Sequence, residues 1–131
     1  MLRIDLAEAG TMAQHPLEEM YAARDALDRA ARKCARTDLA QLDWPPFGAA
    51  LLGVLGSLHH LADELTNKLD QVDRNSLYKE ALRDHPQEAL DRAIGDLEGM
   101  TAVLASAMRH AGEYWEEAQH IHEDTVSRER E

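Results

Sequence analysis

PQEALDRAIGDLEGMTAVLASAMRHAGEYWEEAQHIHEDTV, residues 86–126, decides the fold. Apolar or small residues recur in it as Leu90, Ala93, Leu97, Met100, Leu104, Ala107, Ala111, Tyr114, Ala118 and Ile121, in steps that alternate three and four. This spacing is one face of an α-helix, held in phase over about five heptads. A helix of about 40 residues is roughly 60 Å long at 1.5 Å per residue. Such a rod cannot bury its stripe alone, so the rest of the chain, or a second copy of it, must cover it.

Upstream of Pro86, Leu77, Tyr78, Ala81 and Leu82 predict a short helix over 77–84. Asp73-Arg74-Asn75-Ser76 precedes it and supplies N-cap residues. A second long helix is expected over 46–73, with Leu51, Val54, Leu55, Leu58, Leu61, Ala62, Leu65, Leu69 and Val72 as its stripe. Trp44-Pro45-Pro46-Phe47-Gly48 marks the boundary before it. Two consecutive prolines stop a helix, and the second can open the next. Trp44 and Phe47 are expected to plug the end of the bundle.

The first helix is expected over 16–36. Pro16 suits the first helical position, where its missing N–H is no loss. Glu18 and Glu19 follow in the first turn, on the favourable side of the helix dipole, and Arg29, Arg32, Lys33 and Arg36 occupy the last two turns. Its stripe is Leu17, Met20, Ala23, Leu27, Ala30, Ala31 and Cys34, and Cys34 reads as a small core residue. Thr37 to Asp43 either continues this helix or forms a separate turn. Residues 1–15 read as an N-terminal arm and 127–131 as a frayed tail.

The expected fold is therefore all-α: an up-and-down antiparallel bundle of three long helices and one short one, the C-terminal helix longest, in a single domain spanning 1–131. The lengths are unequal. About 21 and 27 residues must cover about 40, and a second subunit is one way to make up the difference.

Composition limits the function. The net charge of −11 argues against direct binding to nucleic-acid backbones, which takes clustered Lys and Arg. Most of the acidity lies in the last helix, which places Glu113, Glu116, Glu117, Glu123 and Asp124 close together. If the first and last helices run parallel, the basic end of the first neutralises part of this run. A single cysteine excludes an intramolecular disulfide framework. Neither a signal peptide nor a membrane span is evident, so a cytoplasmic protein is expected.

Two small-residue patches fall opposite the stripes: Ala49, Gly53, Gly56 and Ser57 on the second helix, and Gly95, Gly99, Ala102 and Ser106 on the long one. Glycine inside a helix costs about 1 kcal/mol relative to alanine. Such patches point to close contact on a second face, with an internal neighbour or a second subunit.

No set of catalytic residues and no phosphate-binding loop is complete, which points away from an enzyme. No cofactor is implied. His15 with Glu19, His59 with Asp63, His60 with Glu64, and His120 with Asp124 are each one turn apart, a spacing that suits a hydrogen-bonded pair or a metal. Glu117-Ala-Gln-His120 resembles the Glu-x-x-His element of ferritin-like di-metal bundles. Those bundles use two such elements, and this chain carries one. Tyr21-Ala-Ala-Arg-Asp25 resembles the Tyr-x-x-x-Asp pattern of small helical substrates of type VII secretion. The chain departs from that family in placing the pattern on its first helix and in lacking a Trp-x-Gly turn.

The expected function is a non-enzymatic protein–protein interaction module, an adaptor, assembly factor or inhibitor that forms a homodimer and binds another protein. Two alternatives stand beside it. One is a metal-binding bundle, as an enzyme or otherwise, using His59, Asp63, Glu117 and His120. The other is an acidic inhibitor of a nucleic-acid-binding protein.

Overall fold

A computed structural model describes the backbone of residues 15–80 and 86–130, and the side chains of all of these except 41, 78–80 and 122–130. The expected N-terminal arm, apart from His15, lies outside the described residues, as do Ala81 and Leu82. The fold is all-α. Helices α1 (Pro16–Arg36), α2 (Trp44–Asp70), α3 (Arg74–Glu80) and α4 (Pro86–Arg130) follow in order, with a single 3-10 turn at Gln41–Asp43 before α2. Three helices are long and one is short, and the C-terminal helix is the longest.

By contact density the chain divides into two compact units, Met1–Leu39 and Ala40–Glu131. In the first, α1 has the bounds its sequence predicts. His15 caps it, with Nδ1 accepting the Leu17 N–H at 3.1 Å, and Pro16 takes the first helical position. None of its residues is buried. Cys34 is therefore free and exposed rather than part of a core, which corrects the sequence expectation. A solitary helix covers no face of itself, and so Leu17, Met20, Tyr21 and Leu27 stay open.

The second unit is an antiparallel hairpin of α2 and α4, with the 3-10 turn at one end and α3 at the other. In the 3-10 turn Asp43 Oδ2 accepts the Ala40 N–H at 2.8 Å. α2 then starts two residues earlier than expected, at Trp44, so Pro45 and Pro46 both fall in its first turn, where backbone N–H groups have no intrahelical partner. α3 also starts earlier than expected, at Arg74. Asp73 caps it, its Oδ1 accepting the Asn75 N–H at 3.0 Å. α4 starts at Pro86 as expected and continues to Arg130, past the point where a frayed tail was expected.

The register of the hairpin is fixed by facing residues. A Cβ built on Gly48 would lie 2.7 Å from the Cα and Cβ of Trp115, and one on Gly56 would lie 3.6 Å from Met108 Cε. Arg74 pairs with Asp91 at 2.6 Å. The numbers in these facing pairs add up to 163–165. Tyr114 also donates its hydroxyl to the Trp44 carbonyl at 3.1 Å. By this register α2 begins, at Trp44, opposite about residue 120, so the last ten residues of α4, roughly 15 Å at 1.5 Å per residue, run beyond it.

The covered seam follows a heptad on each helix, with Gly56, Leu61, Ala93, Ala107 and Gly112 half-buried beside it. On α2, Gly48 and Ala62 are buried, and Leu52, Leu55, His59, Thr66 and Leu69 half-buried. On α4, Leu90, Leu104, Ala111 and Ala118 are buried, and Ile94, Leu97, Thr101 and Met108 half-buried. Glycine and alanine at the buried positions let the two helices approach closely. The two seam threonines bond within their own helices, Thr66 Oγ1 to the Ala62 carbonyl at 2.9 Å and Thr101 Oγ1 to the Leu97 carbonyl at 2.8 Å. Their hydroxyls thus need no partner across the seam. Gly48 is the tight point of this end. Trp44 is only half-buried, and Phe47 remains 37 % exposed rather than acting as a plug.

Candidate interaction face of the helical hairpin

The seam covers only part of each predicted stripe. On α2, the line Leu51, Leu58, Leu65 and Val72 repeats every seven residues and stays 36–49 % exposed. Val54 and Phe47 extend it. On α4 the matching line carries Met100, Tyr114 and Ile121, 39–54 % exposed, with Val103 beside it at 68 %. Sequence periodicity predicts these lines as buried, and the structure corrects that. Two helices share one seam, and covering the next line takes a third element.

Both uncovered lines lie on the same side of the hairpin. At 100° per residue each line begins three residues after a seam position, rotated about 60° from it in the same sense. In an antiparallel pair, equivalent flanks of the two helices share a face. Ten of the sixteen exposed large apolar residues among those described therefore lie on a single surface. With roughly 200 Å² for a fully exposed large side chain, their fractional exposures amount to about 900 Å². The largest apolar patch of a typical monomer is about 300–600 Å².

Energetics leads to the same surface. Leu90 and Leu104, 7 % and 8 % exposed, are the only large side chains among the described residues that are buried. Each contributes about 1.5–3 kcal/mol. Ordering the backbone costs about 1–2 kcal/mol per residue. A hairpin that stopped at this seam would leave most of its apolar side chains idle.

The small-residue patches behave differently. A Cβ on Gly53, Gly95 or Gly99 would meet nothing within 4 Å. Ala102 and Ser106 are exposed on the same side of α4. No close internal neighbour accounts for these glycines among the described residues.

Of the histidine–carboxylate pairs, His59 Nδ1 and Asp63 Oδ2 lie 3.6 Å apart. His15 is used as a helix cap instead of pairing with Glu19. His60 and Glu64 form no ion pair among the described residues and are exposed. Glu117 and His120 are exposed near the far end of α4. The register sets His59 opposite about residue 105, roughly 18 Å along α4 from Glu117. One hairpin does not bring the two pairs together, and no group of three or more metal-ligating side chains occurs among the described residues. Glu113 pairs with His110 at 3.4 Å, and Glu116 is exposed; the side chains of Glu123 and Asp124 lie outside the described residues. On α1, His15, Leu17, Glu18 and Tyr21 outline an open dent of about 240 Å³.

Sequence reasoning missed Leu52, His59 and Thr66 as seam residues on α2, and Ile94, Thr101 and Met108 on α4. No described helix is long and apolar enough to cross a membrane. No family model, curated protein or solved structure matches the chain.

Proposed function

We propose that this protein is a helical interaction module that presents the uncovered α2/α4 face to a helix of a protein partner. The observation that carries this reading is the pair of exposed heptad lines on one side of the hairpin. They have the spacing that receives a partner helix at 3-4 positions. The face is apolar, while the opposite side of the hairpin carries the glycines and much of the charge.

The test is affinity capture from the native host, with the wild-type chain beside a Leu58→Glu, Met100→Glu variant. Both substitutions fall on the face and outside the seam, so helicity by circular dichroism stays matched. The reading expects a bound protein, or the chain itself, to be retained by the wild type and lost by the variant. Identical capture by both would refute it.

A further inference from the structure

We infer that the occupant of this face is a second copy of the chain, packed face to face about a two-fold axis parallel to the helices, so that each α2 lies against the partner's α4. The inference rests on the reading of the α2/α4 face as a binding surface and names its ligand. In this arrangement every neighbouring pair of helices is antiparallel, as in an up-and-down four-helix bundle, and the interface is self-complementary.

Area is the first argument. A standard interface takes about 800 Å² from each partner. The face offers about 900 Å² of apolar residue surface on the exposures given above. Dimension is the second. Leu51 to Val72 and Met100 to Ile121 each span 21 residues, roughly 32 Å at 1.5 Å per residue. By the register of the hairpin Leu51 to Val72 stands at the levels of residues 113 to 92, so a two-fold axis parallel to the helices overlaps it with Met100 to Ile121 over 100–113, roughly 20 Å.

Charge at the rim is the third argument. Lys68 follows Leu61 on the outer edge of the α2 line, and Asp96 precedes Val103 on the outer edge of the α4 line. Both are exposed, and neither is in an ion pair among the described residues. Their numbers add up to 164, the register of the hairpin, so they stand at one level along its axis. Within one hairpin they point away from each other. With the axis parallel to the helices, Lys68 of each copy meets Asp96 of the other at the rim.

Light scattering and sedimentation of the full chain across a concentration series test this. The expected result is twice the 14.7 kDa chain mass, returned to the single-chain value by Leu58→Glu with helicity unchanged. Lys68→Asp or Asp96→Lys alone should raise the dimer dissociation constant about two- to five-fold, and the double exchange should restore it. This second readout needs no disruption of the core. Single-chain mass at the highest concentration, with capture still dependent on the face, would overturn the dimer and keep the binding surface for a different protein. Single-chain mass with slow, concentration-independent amide exchange across 51–72 and 100–121 would overturn both. A dimer unaffected by Leu58→Glu and by the charge exchange would overturn the assigned face.

Discussion

Replacing Gly48 by alanine should destabilise the hairpin, whereas the same replacement at three other helical glycines should stabilise it. The new Cβ at position 48 would lie 2.7 Å from Trp115 Cα and Cβ. Ordinary carbon–carbon contact is about 3.5–4.0 Å, so α2 and α4 must separate locally by about 1 Å. Because one of the opposing atoms is backbone, no side-chain rotation relieves the clash. Over-packing of this kind costs about 1–3 kcal/mol. Removing a helical glycine returns up to about 1 kcal/mol. With the full return the net loss is therefore up to about 2 kcal/mol. At Gly53, Gly95 and Gly99 the added methyl meets open space, so only the gain of about 0.5–1 kcal/mol remains. In a unit the size of Ala40–Glu131, 1 kcal/mol moves the melting temperature by about 4–8 °C. Thermal and urea melts followed by helical circular dichroism read both signs. If Gly48→Ala raises the melting temperature as the other three do, the close approach of α2 to Trp115 is wrong, and with it the register of the hairpin.

Two further outcomes follow from the seam and its ends. Leu104→Ala should cost about 2–5 kcal/mol by urea unfolding, because Leu104 is a large side chain only 8 % exposed at the middle of the seam. At the α3 end, Asp91 holds the Arg74 guanidinium above its ordinary pKa, first by its hydrogen bond and then by its charge, with Asp70 adding to the effect. A raised pKa contributes stability that is present below the ordinary arginine value and lost only as pH rises through the higher folded value. The arginine side of this pair should thus leave the urea midpoint flat through the neutral range. Asp91→Asn should lower that midpoint slightly, and less in high salt, because both partners are exposed.

Helix ends were the most legible feature of the chain. His15-Pro16 at the start of α1 and Pro86 at the head of α4 act locally, through missing N–H donors and fixed φ, and they stand where expected, while Pro45 and Pro46 fall in the first turn of α2, which opens two residues early. The line Leu90, Leu97, Leu104, Ala111 and Ala118 was legible too, since it lies at the centre of the apolar stripe. The flank that closes was not. Hydrophobicity alone ranks Leu51, Leu58 and Leu65 above Gly48, His59 and Thr66 as core residues. Yet the second set faces α4. Close approach favours small residues, and Thr66 satisfies its hydroxyl within its own helix, so neither property registers in an apolar count. Gly48 shows the same difficulty. Beside two prolines it reads as a turn residue, and its role as the point of closest approach depends on Trp115, 67 positions away.

The distribution of side-chain size across the hairpin also bears on what the molecule is for. A hairpin selected only for its own stability would turn its leucines inward and leave alanine and glycine outside, because burial free energy scales with the apolar area removed from water. Here Gly48, Ala62, Ala111 and Ala118 take most of the buried seam positions, beside Leu90 and Leu104, while Leu51, Leu58, Leu65, Met100 and Tyr114 stand on one outer face. The arrangement is economical only when that face is covered, with a narrow seam inside each hairpin and a wide, leucine-rich layer between partners. Large side chains then occupy the contact that is shared, and the small ones fix the spacing of the helices that present it. On this logic, folding of the hairpin and occupation of its face are coupled. The melting temperature of the wild-type chain should therefore depend on protein concentration, and that of Leu58→Glu should not.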